Sequence, residues 1–173
     1  GLPITISGPE AKKYTYQGRK ESNAILTTSE TIINDNPSFQ CIINEQTYNK
    51  PIYILDRENR LNGKEKIFSI HPDIHIFYNT AKDISQFRSL PSHANLIPIQ
   101  LKNEQLDLNE VLKKIGQDGI HQLWVEAGAR LLHQMLKHHL INQFILYQSP
   151  KKLNLAEKGK LAFIDPYDLN YIR

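Results

Sequence analysis

The sequence predicts an α/β domain, a sheet covered by helices on both faces. Three observations carry that prediction. Short apolar, β-branched runs alternate along the chain with segments of helical periodicity. The stretch Gln122–Leu136 shows one such unit whole: Leu123, Trp124 and Val125 make a strand-length run, Gly128 breaks it, and Leu131, Leu132, Met135, Leu136 and Leu140 recur at helical spacing. Finally, 173 residues with 40% hydrophobic and 23% charged content suit one domain with a real core.

The elements follow in order. Ile4–Ile6 is a possible strand end. Ser7 or Gly8 caps a helix with Pro9 in its first turn and Glu10 near its positive end. That helix runs to about Ser22, weakened by Gly18, with Arg19 and Lys20 in its last turns. Residues 23–27 form a strand, and Thr28-Ser29-Glu30-Thr31 opens a short helix with Ile32 and Ile33 as its apolar face. Asp35-Asn36-Pro37 ends it, because a residue before proline is pushed out of the helical region. The polar segment 39–50 reads as a loop or edge. Strands are expected at 51–55, 67–70, 74–78 and 95–100, with a turn-rich connection at 57–66 and a short helix or loop at 80–90. A helix at 106–115 presents Leu108, Val111, Leu112 and Ile115 on one face, and Gln117-Asp118-Gly119 stops it. After the 122–136 unit, Phe144–Tyr147 is the last expected strand, and the pattern fades beyond Ser149-Pro150.

Composition narrows the function classes. The net charge of +3 and pI near 8.9 are mild, and the lysine pairs are interspersed with acids, so they read as solvated faces. Aromatic residues are not interleaved with them as a single-strand stacking platform needs, so no nucleic-acid partner is expected. No apolar run reaches the roughly 20 residues of a membrane span. Cys41 is the one cysteine, which excludes an internal disulfide and suits a reducing compartment, so a cytoplasmic location is expected. His71 and His75 straddle a proline break, and the adjacent His138 and His139 point apart, so no metal is expected.

Two constellations could carry chemistry. Glu126 stands at the carboxyl end of a strand, and Gly128 opens a helix whose free N–H groups and partial positive charge attract phosphates. Plain punctuation is the other reading of that glycine. Hydroxyls crowd the second turn, Thr27-Thr28-Ser29-Glu30-Thr31, and Asp35 closes its helix. They could bond a phosphate or ribose, or merely cap the helix.

Four segments in this order, 23–37, 51–57, 123–132 and 146–151, resemble the reductase domain of the bacterial bifunctional riboflavin biosynthesis deaminase–reductase. The resemblance covers about residues 4–155 and implies a dihydrofolate-reductase-like fold, a three-layer, mostly parallel mixed sheet flanked by helices. The chain then reads as a single reductase-like domain with 151–173 as a poorly matched extension.

The resemblance implies NADPH-dependent reduction of 5-amino-6-(5-phosphoribosylamino)uracil, whose ribosyl chain becomes ribityl. It places Asp35 near the reacting centre as the catalytic residue. It places Thr31, Asp35, Arg57, Gly128, Ala129, Arg130 and Leu131 on the cofactor, with Arg57 able to pair with a 2′-phosphate. Arg19, Ser38 and Glu126 fall on the substrate. A homodimer is expected, with a deaminase domain or protein as a further partner. The sequence departs from the family at Thr5 (usually tryptophan), Ile42 (usually arginine), Ala127 (usually glycine) and a lysine-bearing loop without counterpart here. Those departures leave a second reading: a reductase-like domain without catalysis, kept as a dimerisation, ligand-binding or partner module.

Overall fold

Five parallel strands form the frame of the molecule. The structure, a computed structural model, describes residues 8–87 and 89–147. Helix α1 (Pro9–Glu21) is capped by Gly8 and carries Pro9 and Glu10 in its first turn. Strand β1 (Ala24–Thr28) runs straight into helix α2 (Ser29–Asp35), and a hairpin of β2 (Cys41–Ile43) and β3 (Gln46–Tyr48) follows. Strand β4 (Ile52–Asp56), the one-turn helix α3 (Ile67–Ile70), β5 (Ile74–Asn79), a 3-10 turn (Ile84–Phe87) and β6 (Ala94–Ile99) come next. A second hairpin, β7 (Leu101–Lys102) and β8 (Gln105–Leu106), leads to α4 (Leu108–Gln117), β9 (Leu123–Val125) and α5 (Ala129–Lys137).

The sheet order is β6-β5-β4-β1-β9, and every pairing in it is parallel. Parallel strands buried on both faces read as continuous apolar runs, which is why β1, β4 and β5 show no alternation. On one face Ile25, Ile52, Ile54, Ile74 and Ile76 pack with Ile32 of α2, Ile67 and Phe68 of α3 and Phe87. On the other, Ala24, Leu26, Tyr53, Phe77 and Ile99 pack with Val111 and Ile115 of α4. Each fully buried isoleucine contributes about 1.5–3 kcal/mol. From β1 the chain steps outward through β4, β5 and β6, then returns to place β9 on the other side of β1. The order therefore reverses at β1, and ligands of such sheets lodge beyond the carboxyl ends of strands at the reversal.

Two expected strands are corrected. Residues 67–70 form a helical turn. A strand would send the neighbours Ile67 and Phe68 to opposite faces, whereas one turn buries both. The His71 N–H closes the turn on the Ile67 carbonyl at 2.9 Å. Residues 144–147 form no strand: β9 pairs only with β1 among the described residues, and Ile145, Leu146 and Tyr147 are exposed. An apolar run without a neighbour to bond does not become a strand. The segment 39–50, expected as loop or edge, is the β2–β3 hairpin. The expected strand end at 4–6 and the extension 151–173 lie outside the described residues.

Candidate active site

The carboxyl ends of β1, β4 and β9 open on one cleft of about 1850 Å³. Thr28 ends β1 and caps α2: its Oγ1 accepts the Thr31 N–H at 3.2 Å and lies 3.1 Å from the Thr31 hydroxyl. The capping reading of the hydroxyl cluster is thus realised, and Thr31 still lines the cleft. Asp35, last residue of α2, also lines it. Its carboxylate is exposed and bonds no other described residue. Asn36 then turns left-handed at φ 42°, and its Oδ1 accepts the Lys66 N–H at 2.9 Å. Asparagine tolerates that conformation better than most residues, and here it fixes the exit of α2 on α3.

Past β4, the buried Asp56 carboxylate accepts the N–H groups of Arg60 and Leu61 at 3.1 and 3.0 Å. That turn directs Arg57 and Arg60 into the cleft wall. Arg57 Nε meets Glu58 at 2.7 Å, and its Nη1 donates to the Glu104 carbonyl. Its Nη2 bonds no described residue. A bond from Lys82, helped by Arg57, holds the Glu58 carboxyl below its usual range.

Past β9, Glu126, Ala127 and Gly128 lead to α5. Gly128 is the N-cap of α5 without a side-chain bond, at an ordinary φ of −70°. A Cβ there would meet nothing within 4 Å. The chain itself does not require glycine at 128, and the room beside it belongs to the cleft. The first amides of α5, from Ala129, Arg130 and Leu131, have no capping side chain. Leu131 is buried, so the group it can offer a ligand is its amide. Arg130 is exposed and stands 3.8 Å from Glu30 at the start of α2.

The densest polar contact lies between α1 and β9. Arg19 grips Glu126 bidentately, Nε to Oε1 at 2.6 Å and Nη2 to Oε2 at 2.8 Å. Arg19 Nη1 donates to the Gln40 carbonyl at 2.8 Å, and the guanidinium sits 5.4 Å above the Phe39 ring. The Trp124 indole N–H donates to Glu126 Oε1 at 2.6 Å. Three donors on one carboxylate leave one lone-pair direction, on Oε2, for a ligand. Ser38 is not part of the cleft wall. Its carbonyl accepts the Nε2–H of the buried His71 at 2.7 Å, which holds the loop after α2. Phe39 beside it is buried at φ 48°, a backbone strain of order 1–3 kcal/mol that the surrounding bonds maintain.

Thr31, Asp35, Arg57, Glu126, Gly128, Arg130 and Leu131 therefore line one cleft, Arg19 joins them through Glu126, and Ala129, first residue of α5, and Ser38 are not part of its wall. Trp124 and His71 were not foreseen. The signal for Trp124 was its spacing: residues two apart on a strand share a face, so Trp124 had to lie beside Glu126. No sequence signal marked His71.

Comparison with known proteins gives the same result from three directions. The family model of the RibD C-terminal domain matches residues 3–154. The riboflavin biosynthesis protein RibD of Haemophilus influenzae is 30% identical over 166 residues, covering 89% of this chain and 43% of that protein. A Buchnera aphidicola protein named 5-amino-6-(5-phosphoribosylamino)uracil reductase is 27% identical, covering 88% of this chain and 78% of the relative. Among solved structures, Acinetobacter baumannii RibD superposes with a TM-score of 0.66 at 22% identity, over 90% of this chain and 46% of that one. The riboflavin biosynthesis reductase of Saccharomyces cerevisiae does so at 0.63 and 19%, over 85% and 73%. The chain spans less than half the length of the RibD relatives it matches. With a fold shared with RibD reductases and a family match across most of its length, the chain belongs to the RibD C-terminal domain family.

Proposed function

We propose that this chain is an NADPH-dependent reductase of 5-amino-6-(5-phosphoribosylamino)uracil, acting in riboflavin biosynthesis. One observation carries the reading: Asp35, Glu126 and the open N-terminus of α5 face a single cleft where the strand order reverses. The uncapped amides of residues 129–131 fit a dinucleotide pyrophosphate, and the free space at Gly128 lets it approach. Arg57, through its free Nη2, and the neighbouring Arg60 fit a 2′-phosphate, which favours NADPH over NADH. When bound, the nicotinamide supplies the hydride.

The chain's own residues do the rest. Glu126 accepts a hydroxyl or N–H of the substrate at its open Oε2 position. Arg19, whose Nη1 and Nη2 each keep one N–H unused, donates to its phosphoribosyl part. Asp35 relays a proton to the amine nitrogen as the adjacent carbon is reduced. Ser38 contributes through the loop it belongs to. The protein works as a homodimer in the cytoplasm, beside a deaminase domain or protein. No helix among the described residues is long and apolar enough to cross a membrane.

The test is turnover of the ribosylaminouracil with NADPH, beside NADPH titration by calorimetry. Asp35→Ala is expected to lower kcat roughly 10²–10⁴-fold and to weaken NADPH binding, while leaving the melting temperature close to wild type, because its carboxylate supports no other described residue. A purified chain that binds no NADPH at millimolar concentration sinks the reading. The second reading, a domain without catalysis, is favoured if NADPH binds but no product forms.

A further inference from the structure

We infer that Trp124 is a positioning residue for Glu126, and that Gly18 exists as its socket. The inference rests on the reductase reading for the ligand but not for the contact. Trp124 and Glu126 lie two residues apart at the end of β9, on the sheet face that also carries Ile25. The indole N–H donates to Glu126 Oε1 at 2.6 Å, the same oxygen that receives Arg19 Nε. A carboxylate held by the two N–H groups of one arginine is fixed to α1 and, through Arg19 Nη1, to the Gln40 carbonyl. A third donor from the strand itself ties it to the sheet. The open lone pair of Oε2 then keeps a fixed direction toward the cleft.

The ring reaches that position because α1 has no side chain at residue 18. A Cβ on Gly18 would fall 2.1 Å from the Trp124 ring, which no packing tolerates. The glycine that weakens α1 on propensity grounds is thus the point where the helix backbone seats the indole. Arg19 follows directly, so socket, ring, arginine and acid form one assembly across α1 and β9.

Trp124 is the one tryptophan of the chain, so its indole N–H gives a single, identifiable NMR resonance. Glu126→Gln replaces a charged acceptor by a neutral one, and the resonance is expected to shift upfield. An unmoved resonance overturns the inference whatever the enzyme does. In turnover, Trp124→Phe keeps a ring in the socket and removes only the N–H. It is expected to raise KM for the ribosylaminouracil about tenfold, the worth of a hydrogen bond to a charged group, with KM for NADPH unchanged. A structural role alone would lower the melting temperature without that split, and an unchanged pyrimidine KM in Trp124→Phe overturns the inference while the reductase reading stands. Gly18→Ala, which drives the ring out, is expected to reproduce the KM rise, and wild-type KM in that variant removes the socket from the assembly. If the wild type neither binds nor reduces the pyrimidine, the reductase reading fails, and the Glu126→Gln resonance alone then decides whether the indole holds the acid.

Discussion

The two sides of the cleft are built on opposite principles. Between α1 and β9, polar groups bond one another before any ligand arrives: Arg19 to Glu126 and Gln40, Trp124 to Glu126. Along α2 and α5, they are left open: the Asp35 carboxylate is exposed, and the first amides of α5 have no cap. The closed side fixes directions in advance and so would spend little ordering on a flexible ligand such as the proposed sugar phosphate. The open side leaves donors and a carboxylate for ligand and chemistry to complete. Substitutions on the closed side should therefore cost stability as well as binding, and those on the open side should spare stability.

The largest expected departure between the sides is at Arg19. Arg19→Ala leaves a half-buried Glu126 with the indole as its remaining described partner. A lost partner of a well-buried pair costs 3–5 kcal/mol, and partial exposure reduces this to about 2 kcal/mol. Thermal and denaturant melts should show that loss, and the Arg19→Ala, Glu126→Ala double variant should recover part of it. A melt unchanged in Arg19→Ala would show that the closed side is not prebuilt. On the open side, Gly128→Asp should leave the melt within about 0.5 kcal/mol, because its Cβ meets nothing within 4 Å. Its carboxylate would repel a pyrophosphate at the α5 N-terminus, so NADPH binding should weaken about tenfold. Unimpaired binding would move the dinucleotide away from α5.

Much of this division was legible in the chain, and what was not has physical causes. Alternating runs and caps specify the sheet and its helices, because each element buries one periodic face. Thr28 acts as a cap by its own hydroxyl, so local chemistry marks the start of α2, whereas α4 begins after its Asp107 cap and not at Leu106, which belongs to β8. The open side was readable because its groups lie within a few residues of the turns that expose them. The closed side joins residues 107 apart, and no periodicity links Arg19 to Glu126. The helical turn at 67–70 differs from the expected strand because three apolar residues in four fit a strand or a helix equally well. What decides is the burial of both Ile67 and Phe68 and the anchor of Lys66 N–H on Asn36.

His71 belongs to neither side and tests whether they are mechanically joined. Burial, together with the positive Arg19, pulls its pKa below the usual 6.5, while the Ser38 carbonyl opposes the shift. The folded state therefore holds the ring neutral, Nε2–H on Ser38, at pH values where the unfolded chain takes up a proton. Its contribution to stability is fully present above about pH 6.5 and is lost as pH falls from there through the folded value. The slope for one proton is at most about 1.4 kcal/mol per pH unit. Melts between neutral pH and pH 5 should show this fall, and His71→Asn should flatten it. Because the loop bonded by His71 also carries the Gln40 carbonyl under Arg19, the same acidification should raise KM for the pyrimidine more than KM for NADPH. Equal changes in both constants would mean that the loop does not transmit the protonation of His71 to the closed side, and that each half of the cleft stands on its own supports.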